Sequence, residues 1–189
     1  MIVTPVPVTI DLLKSDLVRS PGLHASDIYG PLYAELEPSR YKYDDPLNPT
    51  LCALGTAWEK HLEYLLAANG VTVERPGEFV SPEGIAYSPD LIFFNGETRL
   101  GEIKYTSMSA KDMPEEVSNS LPPKLNKYLT QMLLYAYWLG VSEGWLAILF
   151  NYQPWAPDLR ILGLHFEERE KADAHRMCMN FARHKGLLK

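Results

Sequence analysis

Cysteine is nearly absent from this chain of 189 residues: Cys52 and Cys178 stand far apart, with no partner at CxxC or CxxH spacing. Neither a zinc finger nor a four-cysteine iron–sulfur cluster can be built from such a set. Histidine is equally sparse, five residues scattered along the sequence. A basic surplus is missing too. Lysine and arginine number 18 against 24 aspartates and glutamates, a net charge of −6, which argues against a general nucleic-acid coat protein. It leaves room for an enzyme whose acidic centre is offset by a metal while local lysines track phosphates. No apolar run is long enough to span a bilayer, so no membrane association is expected. The apolar start, Met1 to Ile10, holds two prolines and no basic segment, unlike a signal peptide, and a cytoplasmic location follows as the expectation. Repeats and low-complexity tracts are also lacking.

What remains is the composition of one globular domain, 46% hydrophobic and 22% charged, spanning residues 1–189 with a core of ordinary size. Residues 1–50, rich in proline and turn formers, read as an N-terminal arm packed on that core, with a short helix over 26–37. Leu51, Leu54, Trp58, Leu62 and Leu65 recur at three- and four-residue spacing before Asn69-Gly70, which predicts an amphipathic helix over 50–69. Strands are expected over 71–75, 79–80, 84–94 and 98–105. A polar stretch, 106–123, is long for an internal connection and reads as a lid beside a site. Pro123 opens a second helix that Gly140 closes. Strands over 144–152 and 159–166 and a final helix over 167–185 complete the chain. This order implies an α/β domain with one central mixed β-sheet flanked by helices.

The chemistry concentrates in Ser88-Pro89-Asp90-Leu91-Ile92-Phe93-Phe94 and, beyond a break at Gly96, Leu100-Gly101-Glu102-Ile103-Lys104-Tyr105. Strand side chains alternate, so Glu102 and Lys104 share a face while Ile103 points to the other. If the two runs pair as a hairpin, Asp90 sits beside Glu102. Two carboxylates with an adjacent ammonium suit a hard cation, Mg2+ or Mn2+ rather than zinc. Taken alone, Glu102 and Lys104 read equally well as a surface pair, and Asp90 as a turn acid after Pro89. Against that, the acids interrupt runs that otherwise read as core strands, where a charge needs a partner or a metal. Gly55, Glu59 and Glu63 follow one another by single turns of the first long helix, and Gln131 and Tyr135 by one turn of the second. A solvated acid accounts for Glu59 by itself, and a polar stripe for Gln131 and Tyr135.

Together Gly55-Thr56-Ala57-Trp58-Glu59, Pro89-Asp90, Glu102-Ile103-Lys104 and Gln131-Met132-Leu133-Leu134-Tyr135 resemble the PD-(D/E)xK nuclease superfamily. The likeness is to its RecB-like and phage lambda-type exonuclease branch, and the four motifs stand in that family's order. The resemblance implies a restriction-endonuclease-like core and a Mg2+- or Mn2+-dependent deoxyribonuclease. Asp90 and Glu102 would ligate the metal together with the Ile103 carbonyl. Lys104 would orient or activate the attacking water, and Glu59 would complete the metal shell or bind a second ion. Gln131, and with it Tyr135, would hold the nucleic-acid backbone or the water. Glutamate at position 59, where many RecB-like nucleases carry histidine, favours the phage-exonuclease branch, while His61 nearby keeps the other branch open.

Arg19-Ser20-Pro21-Gly22-Leu23-His24-Ala25-Ser26-Asp27-Ile28 also looks like that branch, in which an arginine and a serine at a helix start grip a terminal 5′-phosphate. Helix capping alone would equally explain Ser26. The implied partner is DNA. A single-strand annealing or recombination protein and self-association are further partners the resemblance allows, in phage-type recombination or DNA processing, with the host cytoplasm as the setting if the gene is phage-borne. No iron–sulfur cluster is expected, since the four cysteines are missing. Two rivals stand beside the exonuclease: a structure- or sequence-specific endonuclease on the same fold, and a non-catalytic DNA-binding or assembly protein.

Overall fold

The computed structural model describes residues 20–38, 49–94, 98–106, 111, 123–151 and 156–188. Four helices, α1 (Ser26–Leu36), α2 (Pro49–Ala68), α3 (Pro123–Leu139) and α4 (Glu168–His184), surround seven strands. These are β1 (Val73–Glu74), β2 (Phe79–Val80), β3 (Ala86–Tyr87), β4 (Leu91–Phe94), β5 (Thr98–Thr106), β6 (Glu143–Phe150) and β7 (Asp158–His165). The main sheet has the order β1-β4-β5-β6-β7, and β2 and β3 form a separate hairpin. Among the described strands only β5 and β6 run parallel, with α3 in the crossover that a parallel pair requires; the other neighbours are antiparallel. The expected mixed sheet flanked by helices is the fold observed. Among the described residues, no helix is long and apolar enough to cross a membrane.

Glycine ends α2 and α3. At Gly70 (φ +76°) and Gly140 (φ +69°) the backbone turns left-handed, and the next N–H reaches back five residues, Val71 to the Leu66 carbonyl and Val141 to that of Ala136. Gly144 answers a different demand, close approach. A Cβ there would lie 2.8 Å from the Phe166 ring and 2.9 Å from the Leu100 carbonyl oxygen.

The two faces of the sheet are covered unequally. Leu100, Leu146, Ile148 and Phe150 join the main core with Ile28 of α1, Leu125, Met132 and Leu134 of α3, and Cys178 and Met179 of α4. On the other face Leu91, Ile103 and Ala147 meet Leu62 of α2, flanked by Trp58 and Leu66. The buried stripe of α2 therefore runs 58, 62, 66, while Leu54, expected inside, is exposed.

Residues 84–94, expected as one strand, split into β3 and β4, which belong to different sheets. Proline supplies the reason: Pro89 has no N–H for a ladder and restricts Ser88 before it. The region expected as a strand over 71–75 shortens to two residues. The expected lid lies outside the described residues except for Lys111 and its two ends, and of the N-terminal arm only 20–38 and 49–50 are described.

Candidate active site

The proline break delivers Asp90 to the mouth of the sheet. Leu91 pairs with Gly101 in the β4–β5 ladder, so Asp90 falls opposite Glu102, as the hairpin reading expects. There its Oδ2 accepts the Ile103 N–H at 2.7 Å, standing in for the ladder carbonyl that β4 no longer supplies. Ile103 itself is buried against α2.

Glu102 points the opposite way, toward α3, and is 1% exposed. Its Oε1 accepts from Gln131 Nε2 at 2.5 Å and from the Lys104 ammonium. Its Oε2 is buried with no hydrogen-bond partner. An ionised carboxylate out of water with one oxygen unmatched is costly. Burial first, and then the nearby Asp90 charge, push the Glu102 carboxyl up to about 8, with Lys104 and Gln131 pulling the other way. Burial works against the Lys104 ammonium, but Glu102 and Asp90 outweigh it and hold its pKa above the usual lysine range. Lys104 Nζ lies 3.9 Å from Asp90 Oδ2 and 5.5 Å from the centre of the Tyr128 ring, a cation–π contact.

These groups open on a cleft of about 320 Å³. Asp90, Glu102, Lys104, Gln131, Tyr135 and Ser26 all line it, so six of the residues singled out in the sequence come together. Glu59 does not. It sits on α2, across the sheet, with Oε2 3.4 Å from the Arg75 guanidinium that Glu63 also holds. Burial, with Asp90 next, raises its carboxyl, so Glu59 feels Asp90 without sharing the cleft. Among the described residues no three histidines, cysteines or acids stand together as a metal-binding group. Arg19 lies outside the described residues.

Ser26 corrects the capping alternative. The cap position is Ala25, and Ser26 is the first helical residue. The helix start is instead closed by the Asp27 carboxylate, which accepts the His24 N–H at 3.0 Å.

The cleft also holds residues that the sequence reading missed: His24, Tyr29, Glu78 and Ser88. His24 Nε2 lies 2.9 Å from the Ser20 carbonyl, and its Nδ1 is 3.7 Å from Glu78. Tyr29 follows Ser26 by one turn of α1, a helical spacing that could have found it. His24 and Glu78 meet through the isolated bridge of His24 to Ala86 and the β2–β3 hairpin, a long-range pairing that leaves no local pattern.

No protein-family model matches the sequence, and no curated protein matches it either. Solved structures do. The chain is similar to an alkaline exonuclease from Laribacter hongkongensis, LHK-Exo, at 18% identity and a TM-score of 0.56, covering 86% of this chain and 87% of that one. LHK-Exo in complex with dAMP matches at 16% identity and a TM-score of 0.54 over the same shares. A structure described as SSO0001 matches at 19% identity and a TM-score of 0.55, over 92% of this chain and 82% of that one. At these identities the likeness establishes the fold alone, which this chain shares with LHK-Exo.

Proposed function

We propose that this chain is a divalent-metal-dependent deoxyribonuclease that hydrolyses phosphodiester bonds from DNA ends. The observation that carries it is the buried Glu102 carboxylate, its Oε2 without a hydrogen-bond partner, beside Asp90 and Lys104 in an open cleft. Mg2+ commonly needs only one or two carboxylates, with substrate phosphate and water filling the rest of its shell. Asp90 and Glu102 fit that requirement without a third acid, and the Ile103 carbonyl would be a further ligand. A bound Mg2+ or Mn2+ would supply Lewis-acid stabilisation of the charge that builds on the phosphate.

The protein's own groups do the rest. Lys104 holds and orients the attacking water and stabilises the negative charge that develops as the water oxygen bonds to phosphorus and the P–O bond breaks. Gln131 steadies both Glu102 and the nucleic-acid backbone or the water, with Tyr135 one turn further along α3. Ser26 and Arg19 take the terminal 5′-phosphate, aided by the amide donors and dipole of the α1 start. Glu59, as placed, is held by Arg75 across the sheet; released, it would be the α2 carboxylate that completes the metal shell. LHK-Exo, an exonuclease of the same fold captured with a nucleotide, supports DNA as the substrate. Phage-type recombination or DNA processing, with a single-strand annealing or recombination protein and self-association, is the setting that goes with this reading.

Digestion of linear and circular duplexes, with and without 5′-phosphate, in Mg2+ and in EDTA, tests it. Metal-dependent loss of linear 5′-phosphorylated DNA with circles intact is expected. Equal cutting of circles would make the enzyme an endonuclease on the same metal site. Binding without any cutting in Mg2+ or Mn2+ would leave a non-catalytic DNA-binding protein.

A further inference from the structure

Among the polar groups of the cleft to which the reading above gives no role is the Tyr29 hydroxyl. Tyr29 stands on α1, buried to 7% exposure, yet its side chain lines the cleft beside Asp90, Glu102, Lys104 and Gln131. Its phenol is close enough to Lys104, Glu102 and Asp90 to feel all three charges. Its hydroxyl and that of Tyr135 are hydrogen-bonding neighbours. A phenol carries a single proton. The pair uses only one of its two protons between its members, which leaves one hydroxyl proton free to donate into the cleft that both residues line.

The surroundings hold this donor still. Tyr33, one turn further along α1, shares a 2.7 Å hydrogen bond with Thr130 of α3, which fixes the two helices against each other. Tyr87 packs on the Tyr135 ring at 5.3 Å, and Lys127 sits over the Tyr29 ring at 5.9 Å. A buried, neutral, pre-oriented O–H next to a lysine and two acids is suited to an oxygen on which negative charge develops, because no reorganisation is needed when the charge appears.

We propose that Tyr29 is a further catalytic residue, its hydroxyl donating to a non-bridging oxygen of the phosphodiester under attack, and that Tyr135 is a positioning residue that acts through Tyr29. The proposal rests on the nuclease reading and adds a contact that neither the metal ligands nor Lys104 provides. In this arrangement Tyr135 need not touch DNA, in keeping with its burial at 4% exposure.

Three proteins, wild type, Tyr29→Phe and Tyr135→Phe, tested on a linear 5′-phosphorylated duplex in Mg2+, decide it. Tyr29→Phe should lose roughly 100-fold in turnover, the scale for removing one pre-organised donor, with thermal stability and DNA affinity nearly kept. Tyr135→Phe should lose about tenfold, and the double variant should be no slower than Tyr29→Phe, since coupled groups are not additive. A phosphorothioate of defined stereochemistry at the scissile position gives a readout that a merely structural role would not move. Sulfur in place of the contacted oxygen should slow the wild type in one diastereomer, and that selective slowing should shrink in Tyr29→Phe and in Tyr135→Phe. If wild type cleaves and Tyr29→Phe matches it, or if the sulfur effects are the same in all three proteins, the Tyr29 assignment fails while the nuclease reading stands. If wild type does not cleave in Mg2+ or Mn2+, both fail.

Discussion

The two faces of the sheet are built from the same strands and do different things. On the α3 side, β5 presents Glu102 and Lys104, and a cluster of charge and tyrosines lies under the cleft. On the α2 side the same strand presents Ile103, which meets Leu62, Leu91 and Ala147 in a small apolar layer. Acids occur on α2 too, but Glu59 and Glu63 are held by Arg75. What separates the two regions is therefore satisfaction rather than the mere presence of charge. One set of carboxylates is matched by a guanidinium, and the other keeps a buried oxygen unmatched. A protein tolerates that cost where the group has work to do.

The comparison breaks if the α2 face turns out to matter as much for chemistry as the α3 face. The largest expected effect is loss of cleavage in Asp90→Ala and Glu102→Ala, and in excess EDTA, with the fold kept. Glu102→Gln separates function from stability: cleavage should vanish while the melting temperature holds or rises, because a costly buried charge goes and a hydrogen-bonding shape stays. Full activity in any of these would remove the metal site from the cleft. Next comes Lys104→Ala, expected to lower turnover about 100-fold with much smaller change in DNA affinity. Weaker binding at normal turnover would make Lys104 an ordinary phosphate contact.

Arg19→Ala should cost less and act selectively. It should erase most of a ten- to hundredfold preference for 5′-phosphate over 5′-hydroxyl ends, the worth of about 1.5–3 kcal/mol for a charge-assisted hydrogen bond. Equal rates on both ends in the wild type would abolish the end-binding pocket. Glu59→Gln should lose only about tenfold, the low end for a group acting through a metal ligand. A loss as deep as that of Asp90→Ala would put Glu59 on the metal and overturn the division between faces. Smallest for chemistry is Leu62→Ala, expected to destabilise by about 2–4 kcal/mol in denaturant melts while the folded fraction keeps its turnover.

Much of this was legible because it depends on local periodicity. The α3 boundaries follow from Pro123 and Gly140, and the parity of Glu102, Ile103 and Lys104 follows from strand alternation. The placement of Asp90 opposite Glu102 needed only a short hairpin. What escaped depends on which element lies across from which. Nothing within α2 says that Leu54 faces outward or that Glu59 meets Arg75 across 16 residues. The split at Pro89 was overlooked because the apolar run on both sides reads as one strand. His24 and Glu78 reach the cleft through pairings distant in sequence. Capping preference pointed to Ser26, but the chain enters the helix one residue earlier, at Ala25.

The close approach at Gly144 has a consequence for a site to which it contributes no atom. Gly144 pairs with Leu100, two residues before Glu102, at the start of the parallel β5–β6 ladder. With 2.8 Å and 2.9 Å to the nearest ring and carbonyl, the position admits no side chain unless Phe166 or the strands move. A slip of one residue would exchange odd for even along β5, turning Ile103 into the cleft and driving Glu102 and Lys104 against Leu62. The smallest kind of residue thus bears on parity: the register that turns Glu102 and Lys104 into the cleft brings the strands together where only glycine leaves room.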